Sequence, residues 1–293
     1  VTKRIGVIGT PGKWSTESLA DAFGERTGFR QVIDMAGAVL DLDAGTLVCD
    51  GVDLTALDGL VLKKVAEDYS PDALDRLELL RVAEARGVRI FSPAERVIRL
   101  MDRLACTVTL RGADIPMPPT TITEDVTAAR AALDRYGAAV FKPLFSTKAR
   151  GMVLLDSDAP DAEAQIAAFK AANPVMYIQQ KADLSGHDLG MVFLDGAYVC
   201  TYARVSQTDS WNTTIHSGGK YAPYDPSPEL IELGRRAQAP FGLTFTTVDI
   251  ALTPDGPIVF EVSAFGGYSG ALKGCGIDAA ALVADHVLQE VSA

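Results

Sequence analysis

The segment from Asp249 to Ser263, DIALTPDGPIVFEVS, constrains the fold more than any other stretch of the chain. Two apolar runs flank a TPDG turn, and Pro, Asp and Gly are the residues that hairpin turns use, so two antiparallel strands are expected. With the turn centred on Asp255, Asp249 falls opposite Glu261 and both carboxylates point to one face. Acids in that relation have Cβ atoms roughly 5 Å apart and repel, so a cation is needed beside them. Solvation at the hairpin's open end would be the plain alternative. Against it, Ile250, Ala251, Ile258, Val259 and Phe260 mark both strands as buried. Ser263, two residues beyond Glu261, shares its face. Oxygen-only donors on a hairpin suit Mg²⁺, which takes few protein ligands and completes its shell with phosphate and water. The expected cation is therefore magnesium carried with a nucleotide.

The chain has 293 residues, 48% of them hydrophobic, enough for one large or two ordinary packed domains. The opening VTKRIGVIGTPGKW carries too short an apolar run for a signal peptide, and no later segment approaches the roughly 20 apolar residues that span a bilayer. A cytoplasmic location without a membrane partner is the expectation. A formal net charge of −11 repels a nucleic-acid backbone, which excludes nucleic acid as a partner and makes any local cluster of Lys and Arg informative. Cys49, Cys106, Cys200 and Cys275 are scattered, as are His187, His216 and His286, so neither a disulfide framework nor a zinc site is expected.

Along the chain, KRIGVIGT reads as a buried strand and STESLADAFGERTG as a helix capped by Ser15 or Thr16. AVLDLDAGTLVCDGV reads as a hairpin and GLVLKKV as a second buried strand. SPDALDRLELLRVAEARG has Ser70 as cap, Pro71 at the first helical position and Gly87 at the close, and VRIFS returns as a strand. This alternation predicts a small open α/β domain with a boundary near Ser92. Beyond it, PAERVIRLMDRLACTVTLRG predicts one long helix, and strands then come as hairpins, including one at Asp195-Gly196. The fold class is thus α/β followed by α+β with antiparallel sheets.

GTPGKWST invites comparison with a phosphate loop, yet the spacing fails, with Val7 where the first Gly belongs and Trp14 where the hydroxyl belongs. Gly6, Gly9 and Gly12 do not form a dinucleotide fingerprint either. AAVFKPLFSTKARGMVLL says more: Lys142 ends an apolar strand before Pro143, placing an ammonium at the strand's end, and FSTKARG supplies hydroxyls and cations suited to a flap over an anion. MYIQQKADLSGHDLG is a strand running into a polar loop. RVSQTDSWNTTIHSGGKY is longer and more polar than a simple connection requires.

Taken in order, these segments resemble the ATP-grasp superfamily and, within it, RimK-like ligases that join glutamate or a related amino acid to a carboxylate. The likeness runs from LMDRLACTVTLRGADIPMPPTT to FEVSAFGGYSGAL. It implies an N-terminal α/β domain over residues 1–95, a central ATP-grasp subdomain over 96–178 and a C-terminal one over 179–293. It implies ATP as cofactor with Mg²⁺, or alternatively Mn²⁺. Lys142 and Arg204 would then be catalytic. Cofactor-binding positions would be Arg103, Lys142, Ser146, Lys148, Gln179, Gln180, Asp188, Asn212, Thr213 and Thr214, and metal ligands Asp249, Glu261 and Ser263. Arg103 stands where the family has a lysine, Gly190 and Asn212 where it has arginines, and Ser263 where it has an asparagine. The substrate implied is a small-molecule acid plus an amino acid, the acid being a one-carbon coenzyme of tetrahydromethanopterin or methylofuran type. A protein or peptide C-terminus as acceptor, and a kinase or non-catalytic nucleotide binder, are the alternatives; homo-oligomerisation is left open.

Overall fold

The computed structural model describes residues 2–147, 149–184, 186–206 and 219–292. The chain opens with β1 (Ile5–Ile8), α1 (Trp14–Thr27), β2 (Val32–Ile33), β3 (Val39–Asp41), β4 (Thr46–Cys49), β5 (Val52–Asp53), β6 (Gly59–Leu62), α2 (Pro71–Ala85) and β7 (Arg89–Phe91). Strands β2, β1, β6 and β7 form a parallel sheet in that order, and β3, β4 and β5 form a small antiparallel meander beside it. The buried runs IGVI and GLVL explain the parallel centre, because such strands are covered on both faces. The cap expected at Ser15 or Thr16 is corrected. Lys13 caps α1, its carbonyl accepting the N–H groups of Thr16 and Glu17, so both hydroxyl residues lie inside the helix. Glu17 Oε1 in turn accepts the Gly12 N–H at 2.6 Å, placing a carboxylate where a phosphate loop would hold phosphate.

The long helix expected after Ser92 is two helices, α3 (Ala94–Met101) and α4 (Arg103–Gly112). Asp102 breaks it: its backbone is extended and its side chain accepts the Leu104 N–H at 2.9 Å, capping α4. The break puts Arg103 on the first turn of a helix that starts at the functional cleft.

Next come β8 (Thr120–Thr123), α5 (Val126–Tyr136), β9 (Ala138–Lys142), β10 (Val153–Asp156), α6 (Ala162–Ala172) and β11 (Met176–Gln180). They make an antiparallel sheet ordered β10-β9-β11-β8, with α5 and α6 packed through Leu133, Phe141, Ile166, Phe169 and Ile178. The remainder is β12 (His187–Leu194), β13 (Ala197–Val205), β14 (Lys220–Pro223), α7 (Pro228–Gln238), β15 (Phe245–Thr253), β16 (Gly256–Ser263), α8 (Tyr268–Cys275) and α9 (Ala279–Ser292). Its sheet is antiparallel, ordered β14-β13-β12-β15-β16. The β12-β13 turn is Asp195-Gly196, both at positive φ (47° and 75°), as a two-residue hairpin turn requires.

Helix α9 returns to the N-terminal layer. Val283, Ala284 and Val287 share an apolar cluster with Leu19 and Phe23 of α1, and Arg26 pairs with Asp285 at 2.6 Å. All four cysteines are free thiols. Among the described residues, no helix is long and apolar enough to cross a membrane.

Candidate functional site

A cleft of about 680 Å³ opens between the two antiparallel sheets and the C-terminal edge of the parallel one. Arg103, Lys142, Ser146, Gln179, Gln180, Asp188, Arg204, Asp249, Glu261 and Ser263 all line it. Ten positions singled out from sequence are therefore brought together. Lys148, Asn212, Thr213 and Thr214 lie outside the described residues.

Asp249 does pair with Glu261 across β15 and β16, as expected, but for a different reason. The turn holds two residues, Pro254 and Asp255, between the paired Thr253 and Gly256, and the regular register then runs up to Ile250 opposite Val259. Continued without interruption, it would set Asp249 against Phe260. A bulge at Phe260 absorbs one residue and delivers Glu261 instead. Phe260 and Glu261, though adjacent, both line the cleft as a result.

Two arginines supply positive charge beside the facing acids, in addition to the magnesium expected there. Arg204 reaches across β12: its Nη2 is 3.0 Å from Asp249 Oδ1, while its Nε and Nη2 also bond the Asp188 carboxylate. Arg103 Nη1 donates to Glu261 Oε2 at 3.2 Å, Nε to the Pro143 carbonyl at 3.1 Å, and Nη2 to Ser146 Oγ at 3.2 Å. One guanidinium thus joins the hairpin acid, the strand end carrying Lys142 and the flap. A lysine could not make all three contacts in that plane.

Lys142 is buried, and its ammonium donates to Gln179 Oε1 at 2.6 Å with the Phe260 ring 5.3 Å away. Gln179 is fixed in turn by Thr120 Oγ1 at 3.1 Å and the Tyr177 hydroxyl at 3.2 Å, and Tyr177 bonds Thr107 at 2.9 Å. Gln179 therefore orients the lysine, and Gln180 is the next cleft-lining residue toward Lys181 and Ala182. Burial, with the Arg103 charge adding to it and Glu261 opposing, pushes the Lys142 ammonium down to about 7. Burial likewise raises the Asp249 carboxyl above its usual range, with Glu261 and Asp188 adding to the rise and Arg204 opposing it. Burial also works against the charge on Arg204, but Asp249 and Asp188 outweigh it and hold the guanidinium protonated.

The donor set fits a hard divalent cation. Glu261 keeps 43% of its side chain exposed, Asp249 lies beside it, and Ser263 continues the face with its hydroxyl accepting the Phe265 N–H at 3.3 Å. Among the described residues no group of three or more His, Cys, Asp or Glu side chains is assembled. A metal ion here would complete its shell from phosphate and water, the habit of Mg²⁺.

Sequence reading missed Tyr177 and Thr107, whose contacts depend on α4 crossing β11, and Tyr202, which the period of two places on the same face as Arg204. The Tyr202 ring lies over Gly190, where a Cβ would come within 2.3 Å of it. The missing side chain at Gly190 is thus replaced by a neighbour's ring, with Arg204 stacked 6.0 Å from its centre.

A family model described as the RimK-like ATP-grasp domain matches residues 100–287, which contain every one of these cleft residues. The chain belongs to the RimK-like ATP-grasp family. It is an ATP-dependent ligase of a carboxylate with an amine, and its fold is the ATP-grasp fold. Among its relatives, tetrahydromethanopterin:alpha-L-glutamate ligase of Methanosarcina acetivorans is 24% identical over 269 residues, covering 85% of this chain and 82% of the relative. The ligase of the same name from Methanococcus maripaludis is 24% identical over 291 residues, covering 97% and 98%. Among solved structures, the ATP-grasp ligase PsnB complexed with a phosphomimetic variant of its minimal precursor, Mg and ADP superposes with a TM-score of 0.78 at 18% identity, covering 99% of both chains. A RimK domain ATP-grasp protein from Sphaerobacter thermophilus gives 0.73 at 21% identity over 97% of this chain and 99% of that one. At these identities the two structures establish the shared ATP-grasp fold.

Proposed function

We propose that this RimK-like ligase joins the amino group of L-glutamate to a carboxylate of a small-molecule coenzyme of tetrahydromethanopterin or methylofuran type, using ATP and a divalent metal. The observation that carries the reading is the convergence of Lys142, Arg103 and Arg204 with the Asp249–Glu261 pair on one cleft. The names of the glutamate ligases similar to this chain support the choice of substrates.

In the first step a carboxylate oxygen of the acid attacks the γ-phosphorus of ATP, the bond to the β,γ-bridging oxygen breaks, and ADP leaves. In the second, the free amine of glutamate attacks the acyl carbon, the acyl–oxygen bond breaks and phosphate departs, while the nitrogen gives one proton to solvent as the amide forms. Neither step uses a protein nucleophile; catalysis is positioning and charge stabilisation. Lys142, held by Gln179, meets a phosphate oxygen as a point charge. Arg204, fixed by Asp188 and Asp249, presents positive charge toward the oxygen that becomes negative during amine attack. Arg103 ties Ser146 to the hairpin, and Arg150 pairs with Asp68 of the α/β layer, so the flap is held across the cleft and shields the acylphosphate from water. A divalent cation on Asp249, Glu261 and Ser263 would neutralise the β- and γ-phosphate oxygens.

The test is incubation with ATP, Mg²⁺ and a panel of amino acids against coenzyme acids, simple acids and peptides, with ADP and product mass both read. ADP release that needs acid and amine together, with a product carrying one added glutamate, is the expected result. ADP release without an amine would instead identify a kinase, and product only with peptides would move the acceptor to a polypeptide.

A further inference from the structure

Among the described residues, the Thr247 hydroxyl is the one buried side-chain polar group without a hydrogen-bond partner. The residue is 2% exposed, and a hydroxyl enclosed to that degree is costly to leave unpaired. Its neighbours on one side of the sheet offer nothing to bond. Val192 stands opposite it on β12, and Phe245, two residues earlier on β15, shares its face. Thr247 does, however, line the cleft.

On the side of β16 its partner is Ser263, and two residues along the same strand Asp249 pairs with Glu261. Four oxygen-bearing side chains therefore stand as two facing pairs on one face, and all of them line the cleft. The segment after β16 leaves the Thr247 corner open. A Cβ on Gly266 would lie 3.3 Å from Ser263 Oγ and 3.5 Å from Thr247 Oγ1, and a Cβ on Gly267 only 2.5 Å from Thr247 Oγ1. The two glycines thus keep clear a space within reach of both hydroxyls. Ser263 Oγ already accepts the Phe265 N–H at 3.3 Å, which fixes it at the edge of that space and leaves it a second lone pair.

From this geometry we propose that Thr247 is a further residue of the metal site, its hydroxyl joining that of Ser263 to hold one water of the divalent cation's shell. Mg²⁺ keeps several waters when bound, and each has protons to give. Thr247 Oγ1 and Ser263 Oγ accept them, so Ser263 meets the cation through that water. The hydroxyl left unpaired in the ligand-free protein thereby gains its partner when metal and nucleotide arrive. This rests on the ligase reading above and adds a residue to its metal site.

Calorimetric titration with ADP, with and without Mn²⁺, and thermal melting of the ligand-free proteins test it. Thr247→Val keeps the shape and removes the hydroxyl. It should weaken Mn²⁺·ADP about three- to tenfold, the loss of one hydrogen bond, and leave metal-free ADP binding unchanged. Without ligand it should melt no lower than wild type, since no bond is lost. Thr247→Ser should bind Mn²⁺·ADP as wild type does. Ser263→Asn extends an amide oxygen into the open space and displaces the water, so in that background Thr247→Val should cost no affinity. A Thr247→Val protein that binds Mn²⁺·ADP as wild type does, loses metal-free ADP affinity equally, melts lower, or costs as much beside Ser263→Asn as alone overturns the assignment and leaves the ligase reading standing. Wild-type protein that binds ADP no more tightly with Mn²⁺ than without it fails the metal site of the ligase reading itself, and the role of Thr247 falls with it.

Discussion

Asp249 and Glu261 face each other because Phe260 bulges out of β16, and each acid is met by its own arginine, Arg204 for the first and Arg103 for the second. The two acids are not equivalent. Asp249 is enclosed, whereas Glu261 is 43% exposed on the side of the cleft. Glu261 is therefore the acid free to change partner when a nucleotide and metal arrive. Glu261→Gln should leave unfolding free energy within about 1 kcal/mol of wild type, as for a half-exposed ion pair. ADP formation in the same variant should fall by about 100-fold or more, as when a group stabilising transition-state charge is removed. Urea unfolding and steady-state ADP release, measured on one preparation, check both halves; retained turnover would remove Glu261 from the metal site.

Lys142 makes nucleotide binding sensitive to pH. Its ammonium is pushed down to about 7 in the ligand-free protein, so between that value and the ordinary lysine range the unfolded chain holds a proton that the native one lacks. Its contribution to stability accordingly rises with pH across this window and is lost as pH falls through about 7. A phosphate beside it restores the charge. Binding of Mg·ADP at pH 8 should take up most of one proton at this residue, and Lys142→Met should bind without that uptake. Calorimetry in two buffers of different ionisation enthalpy measures the proton count directly.

The order of strands and helices was legible because apolar periods of two and 3.6 are local properties, and the acid pair because Pro, Asp and Gly mark a hairpin turn. The reason for the pairing was not legible, since a bulge inside an apolar run leaves no compositional trace. Nor was the break at Asp102. RVIRLMDRLACTVTL keeps its apolar period through the break with neither Gly nor Pro, and only the capping preference of Asp hints at it. Gln179 could not be separated from Gln180 by sequence, because its inward turn depends on Thr120 from the neighbouring strand as well as on Tyr177 two residues earlier on its own.

Arg204 is the residue whose removal should cost most stability. It alone among the described side chains bridges Asp188 and Asp249, both largely enclosed. Arg204→Met would leave two acids facing each other in low dielectric, a loss of about 3–5 kcal/mol. Arg204→Lys keeps the charge but cannot serve both carboxylates, so it should recover part of the stability and little of the turnover. The added double change Asp188→Asn with Arg204→Met should be less unstable than Arg204→Met alone, because the repulsion between the two carboxylates is gone. Chemical denaturation of the set, read as a double-mutant cycle, decides the matter; additive losses would show that the arginine and Asp188 act separately.

Gly190 is matched to Tyr202, and placing there the arginine that the family resemblance implies should harm this protein. Gly190 pairs with Tyr202 on one side and with Asp249 on the other, so a row of four residues, Tyr202, Gly190, Asp249 and Glu261, crosses the sheet. The Tyr202 ring fills the space above Gly190, and the side chain is also enclosed by Gly270 and Gly274 of α8, where added Cβ atoms would come within 2.2 Å of the ring and 2.6 Å of the Tyr202 Cβ. Even one methyl at Gly190 must displace the ring, and with it the face against which Arg204 rests. Gly190→Ala should therefore destabilise by about 1–3 kcal/mol, the range for overpacking a filled site. Gly190→Arg should lose turnover as well, since it also sets another cation beside Arg204. Tyr202→Ala opens the space, so the double variant Gly190→Ala with Tyr202→Ala should be no less stable than Tyr202→Ala alone. Thermal denaturation of the three proteins checks this directly, and a Gly190→Ala protein as stable as wild type would show that the ring does not fill that space.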